Sequence, residues 1–186
     1  ALELDPGQVQ ARMRLGRIMV FSGAPDQALE LLNEGLAKTP RSADLLAIRA
    51  AAQQQLGDIA AAEKDAAEAL AIEPHHSDAV ALLSTKAWRE GRRDEALAQL
   101  DAAVRAKPED AMLRILLAEL LLAAERPAEA EEQLRQLVRL QPEVPAHRYR
   151  LAQLYASHKK IDEAVATLRD AVAARPADLD AKLTLA

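Results

Sequence analysis

The chain is predicted to be all-α: an α-solenoid in which antiparallel helix pairs stack in a row as a right-handed superhelix. Three observations predict it. The apolar half of the 186 residues is dominated by 42 Ala and 30 Leu, against 14 Val plus Ile, one Phe, one Trp and two Tyr. Ala and Leu favour helices, whereas strands draw on β-branched and aromatic residues. Prolines fall at Pro6, Pro40, Pro74, Pro108, Pro142 and Pro176, five consecutive intervals of 34. A second break recurs midway through each interval. A fixed period of this size marks a supersecondary unit repeated along the chain, and 34 is a helix–turn–helix length.

The ladder divides the chain, as one array, into a partial unit 1–8, full units 9–42, 43–76, 77–110, 111–144 and 145–178, and a truncated helix 179–186. Each full unit reads as a first helix of about 14 residues, a tight turn, and a second helix of about 13. Proline cannot continue a helix, so the ladder prolines close each second helix. The midway breaks are Ser22-Gly23-Ala24-Pro25, Leu56-Gly57-Asp58, Glu90-Gly91-Arg92, Glu125-Arg126-Pro127 and His158-Lys159-Lys160. Glycine in three of the five suits a left-handed residue ending the first helix. Asp26, Asp94 and Asp162, three residues further on, are expected to cap the second.

With the ladder prolines at position 32, position 8 is Gly16, Ala50, Ser84, Ala118 and Ala152. Position 20 is Ala28, Ala62, Ala96, Ala130 and Ala164, and position 24 is Leu32, Ala66, Leu100, Leu134 and Leu168. Position 27 is Gly35, Ala69, Ala103, Leu137 and Ala171. This pattern resembles the tetratricopeptide repeat (TPR) family over nearly the whole chain. It departs from that family at position 4, which holds Arg12, Leu46, Val80, Arg114 and Arg148, and at position 11, aromatic only at Tyr155. Smaller, Ala- and Leu-based helix contacts are expected there. Small residues at positions 8 and 20 are expected to let the paired helices cross closely, and overpacking them costs about 1–3 kcal/mol.

Composition excludes several functions. With 24 basic and 29 acidic residues, a nucleic-acid surface is disfavoured. Without cysteine there is no disulfide, thiolate nucleophile or Cys-ligated zinc. No run reaches the roughly 20 apolar residues of a membrane span. The first residues lack the basic start and apolar run of a signal peptide. His75 and His76 are adjacent in a turn read as solvated, and adjacent residues do not share a helix face as metal ligands would. The six glycines form no phosphate loop. No cofactor, metal or catalytic residue is assigned, and the chain is read as non-enzymatic.

The resemblance implies function on the concave groove lined by the first helices. Its candidate residues are Met13, Arg17, Phe21, Ile48, Leu82, Trp88, Arg89, Met112, Ile115, Tyr149 and Arg150. Trp88 is the expected anchor. The family's carboxylate-clamp set is absent, so the expected partner is a protein or peptide held as an amphipathic or extended segment. The aliphatic candidates carry a second reading as interhelix core. The alternative function is a spacer or self-assembly segment of a larger protein. Neither end carries a polar cap, so the chain is expected to be excised from a longer array and to associate through its ends. The composition resembles large bacterial TPR proteins of the cell envelope or exopolysaccharide export, which leaves cytoplasm and periplasm both open.

Overall fold

The computed structural model describes residues 9–174. They form ten helices: α1 Val9–Phe21, α2 Pro25–Lys38, α3 Ala43–Gln55, α4 Ile59–Ile72, α5 Ser77–Arg89, α6 Arg93–Ala106, α7 Ala111–Ala123, α8 Pro127–Leu140, α9 Pro145–Ser157 and α10 Ile161–Ala174. No strand occurs among the described residues. The expected partial unit 1–8 and the truncated helix 179–186 lie outside them. The chain divides into two compact bodies, Ala1–Ala106 with α1 to α6 and Lys107–Ala186 with α7 to α10.

First helices have 13 residues and second helices 14, one residue the other way from the expected lengths. The cause is a shared stop. The second residue past each first helix is left-handed: Gly23 (φ 77°), Gly57 (83°), Gly91 (82°), Glu125 (59°) and Lys159 (60°). The next N–H reaches back five residues each time, as from Ala24 to Met19 (2.8 Å) and from Lys160 to Tyr155 (2.9 Å). These are Schellman stops, closing carbonyls the helix leaves unpaired.

Capping differs from the expectation. Asp26, Asp94 and Asp162 lie inside the first turns of α2, α6 and α10, where their charge meets the positive helix end. They are not the capping residues. Ala24 precedes α2 and offers no side-chain cap. Side-chain caps come instead from Ser42 to Leu45 N–H (3.3 Å), Asp58 to Ala61 N–H (3.1 Å) and Asp110 to Leu113 N–H (3.1 Å).

The core follows the repeat. All five position-20 alanines are buried, as are Leu32, Ala66, Leu100, Leu134 and Leu168. A Cβ on Gly16 would stand 3.1 Å from Leu32 Cδ2 and 3.4 Å from Ile48 Cγ2. In the first repeat the small residue at position 8 thus admits the position-24 leucine and the next repeat.

Where aromatics were missing, arginine stems fill the space. Buried Arg12 donates to the Leu31 carbonyl (2.8 Å) and to Glu34 (3.2 Å). Buried Arg114 donates to Gln133 Oε1 (2.9 Å) and to the Pro108 carbonyl (2.7 Å), and Arg148 donates to the Pro142 carbonyl (2.5 Å). The stem supplies apolar area while the head pairs with a main-chain carbonyl, within α2 for Arg12 and in the turn between repeats for Arg114 and Arg148. Buried Asp65 takes two bonds from Arg49 (2.6 and 2.8 Å), whose third goes to Asn33 (2.8 Å), tying α2, α3 and α4.

In the first body α1 packs on α3 and α3 on α5; in the second, α7 and α9 make no comparably close approach. The stops and the core can each be tested by substitution. Glu125→Gly and Lys159→Gly remove a left-handed penalty and should each raise unfolding free energy by about 0.5–1 kcal/mol, read by urea titration. Leu100→Ala should lower it by about 2–5 kcal/mol in the same assay.

Candidate functional site

The gap between α7 and α9, in the second body, is a hollow of about 320 Å³. Ile115, Ala118 and Leu122 of α7, Leu134 of α8 and Leu154 of α9 give it an apolar floor. Glu119, Arg150, Gln153 and Ser157 form a polar rim. Arg150 meets Glu119 across the mouth at 3.4 Å, with both side chains about half exposed. Such a pair is worth little in water, so an incoming group can displace it at small cost.

The first body has a hollow of about 220 Å³ where α5 faces α3 and α4. Leu82, Lys86, Arg89 and Glu90 face Gln54, Ile59, Ala62 and Glu63 there. Lys86 donates to Glu63 at 2.6 Å, and this bond holds its ammonium above the ordinary lysine range. A smaller hollow of about 140 Å³ lies between the start of α8 and the end of α9. There Glu131 accepts from Lys160 (2.7 Å) and from the Tyr155 hydroxyl (3.3 Å). The Lys160 bond chiefly holds the Glu131 carboxyl below its ordinary value, against a smaller opposing effect of burial.

The candidate residues divide. Ile115 and Arg150 line the α7–α9 hollow, and Leu82 and Arg89 line that of the first body. Met112 and Phe21 are exposed, Phe21 at 96%. Met13 is half-buried against the first body's core, and Tyr149 is half-buried on α9. Arg17 bonds Asp78 at 2.8 Å, reaching from α1 to α5. Ile48 must be corrected: it is 3% exposed and part of the core, because Gly16 lets α1 close over it. Trp88 is half-buried beneath Arg93, whose guanidinium lies 5.3 Å from the ring centroid, and it lines none of the three hollows just described.

Leu122, Leu134 and Leu154 complete the hollow and were not among the candidates. Leu122 shares the repeat position of Trp88 and was findable by register. Leu134 and Leu154 were not, since a gap between helices reaches residues that the period assigns to the core.

The solvated reading of His76 is overturned: it is 4% exposed, with Nε2 3.3 Å from Asp44 Oδ1. His147 is also buried, Nε2 2.9 Å from Gln141 Oε1, and burial pulls its pKa below the ordinary histidine value. Among the described residues no three His, Cys, Asp or Glu side chains gather as metal ligands. None of the described helices is long and apolar enough to cross a membrane.

A depressed folded carboxyl contributes stability above the unfolded pKa of about 4.3 and loses it as pH falls through the folded value. Glu131→Gln should therefore destabilise at pH 7, and the gap to the unsubstituted protein should close on acidification. Urea titrations at a series of pH values read this directly.

Comparison with known proteins places this geometry. A tetratricopeptide repeat model matches residues 1–52 and 54–120, and a second matches 115–178. No curated protein sequence matches. TTC0263, a thermophilic TPR protein of Thermus thermophilus, is 29% identical with TM-score 0.67, over 95% of this chain and 96% of that one. The pilF structure of Pseudomonas aeruginosa is 22% identical with TM-score 0.72, over 94% and 79%. YrrB, a TPR protein with an unusual peptide-binding site, is 17% identical with TM-score 0.59, over 98% and 94%.

Proposed function

Because the chain belongs to the tetratricopeptide repeat family, we propose that it is a non-enzymatic scaffold holding a partner's peptide segment against its first helices. Proteins of this family generally serve as interaction scaffolds. The α7–α9 hollow carries the reading for this chain. Its apolar floor can bury one or two large side chains of the segment, and its polar rim can orient the segment's backbone or charged groups. That YrrB has a peptide-binding site lends the same reading support by analogy of fold. The partner is a protein or peptide, amphipathic or extended; no cofactor or nucleic acid enters.

Ile115 and Leu122 anchor the segment and Arg150 and Glu119 contact its polar groups; the first body's hollow beside Leu82 and Arg89 is a candidate site of its own. Ile48 has no part in it, and Trp88 supports the end of α5 rather than serving as the anchor.

The test is selection of peptides on the 186-residue chain from a random display library, followed by titration against variants. Ile115→Glu puts a charge into the apolar floor and should weaken selected peptides about tenfold or more, with helicity by circular dichroism unchanged. Peptides that bind Ile115→Glu and Leu122→Glu with undiminished affinity would place the site elsewhere. The spacer or self-assembly reading has its own observation, the exposed Ile18 and Phe21 of α1.

A further inference from the structure

The fifth repeat meets the fourth at a buried ring. Position 3 of the first helix is a wholly buried leucine in two other repeats, Leu45 and Leu113. In α9 that position is His147, 5% exposed. Its contacts fix where its proton sits. The Gln141 amide nitrogen donates to the Glu109 carbonyl at 2.8 Å, so the amide oxygen is the atom that faces the ring, 2.9 Å from Nε2. Nε2 therefore carries the hydrogen, and Nδ1 is a bare acceptor, buried with no partner.

A proton on Nδ1 would put a cation and an unpaired donor into the interior. The other buried histidine differs, because Nε2 of His76 faces the Asp44 carboxylate at 3.3 Å and a positive ring there has a counter-charge. At His147 burial has the largest effect and holds the ring below the ordinary histidine value; Arg150 and Arg148 of α9 act in the same direction, and Glu143 in the preceding turn acts against them. The end of α8 and the turn before α7 meet the ring through the uncharged Gln141 amide. Arg139 of α8 is turned to Glu132, Asp110 to the Leu113 N–H, and Arg114 of α7 to Gln133 and the Pro108 carbonyl. The last turn of α10, which runs back along α9, is uncharged.

The start of α9 is also weakly secured by its own residues. It has no side-chain cap and no acid in its first turn, whereas Ser42 and Asp110 cap α3 and α7. It is tied back instead by His147 to Gln141 and by Arg148 to the Pro142 carbonyl. We infer that His147 is an acid-operated latch, whose protonation frees the first turn of α9 from the end of α8. A released ring titrates near the ordinary value of about 6.5, so the open form takes up the proton first. The closed population then falls as pH drops below about 6.5 and through the lower value of the closed form. Arg150, three residues further along α9, is on the rim of the α7–α9 hollow, so release moves that rim. Loss of a bound peptide in acid would follow and rests on the scaffold reading; the latch itself does not.

Amide hydrogen exchange on the 186-residue chain at pH 7 and about pH 5, corrected for intrinsic rates, tests this beside an NMR titration of the His147 ring. No peptide is present, so the outcome is separate from that of the scaffold reading. Amides of residues 143–150 should exchange about tenfold faster at the lower pH, those of α2 should not change, and the ring should titrate below the ordinary value. His147→Leu, which places the leucine of Leu45 and Leu113 there, should abolish the acid effect. His147→Gln, uncharged at every pH, should do the same, and His158→Gln should leave the effect in place. A ring that titrates at or above the ordinary value overturns the latch. So does exchange near His147 that ignores pH, an acid effect that survives both His147 variants, or an equal acceleration in α2, which would be unfolding of the whole chain.

Discussion

The close crossing of paired helices over a buried alanine is the constraint on which the structure depends. Position 20 is alanine five times, buried each time, and the position-24 side chain beside it is buried too. Alanine contributes little apolar area, so each pair gains modestly from burial and more from tight packing of backbone against backbone. Polar ties supplement that contact. The Arg49–Asp65 bond, with Asp65 buried, is the kind whose breaking strands a charge, whereas the more exposed Lys86–Glu63 and Lys160–Glu131 pairs add less.

Scarcity of aromatics is answered by arginine. Arg12 and Arg114 extend their stems into space a ring would fill and spend guanidinium donors on main-chain carbonyls, that of Leu31 within α2 and that of Pro108 in the turn. Gly35 belongs to the same solution: a Cβ there would stand 3.0 Å from Arg12 Cδ and 3.1 Å from Leu45 Cδ1. Burying a cation in this way is tolerable because each head finds acceptors of the right geometry.

The hollows lie where the repeat is least regular in packing rather than in sequence. Ile48, Leu116 and Arg150 hold the same repeat position, yet Ile48 is core, Leu116 half-buried and Arg150 a rim residue. Gly16 lets α1 close over Ile48. At the equivalent place in the second body stands Ala118, and the facing residue is a charged arginine that resists burial; α7 and α9 remain apart. The α7–α9 hollow is what that failure to close leaves.

How much was legible follows the same physics. Helix content, the 34-residue period, the five left-handed stops and the buried alanines could all be read from the chain, since each depends on local backbone preference or on a residue's place within its own repeat. Even the two stops without glycine, at Glu125 and Lys159, fall on the ladder. The capping residues were misread because a cap is decided by one residue's dihedral angles, finer than any period. Burial of His76 and Ile48, the arginine stems and the leucine floor of the α7–α9 hollow were decided only by tertiary structure. They depend on how near one helix comes to the next, a distance set by side chains on both helices at once.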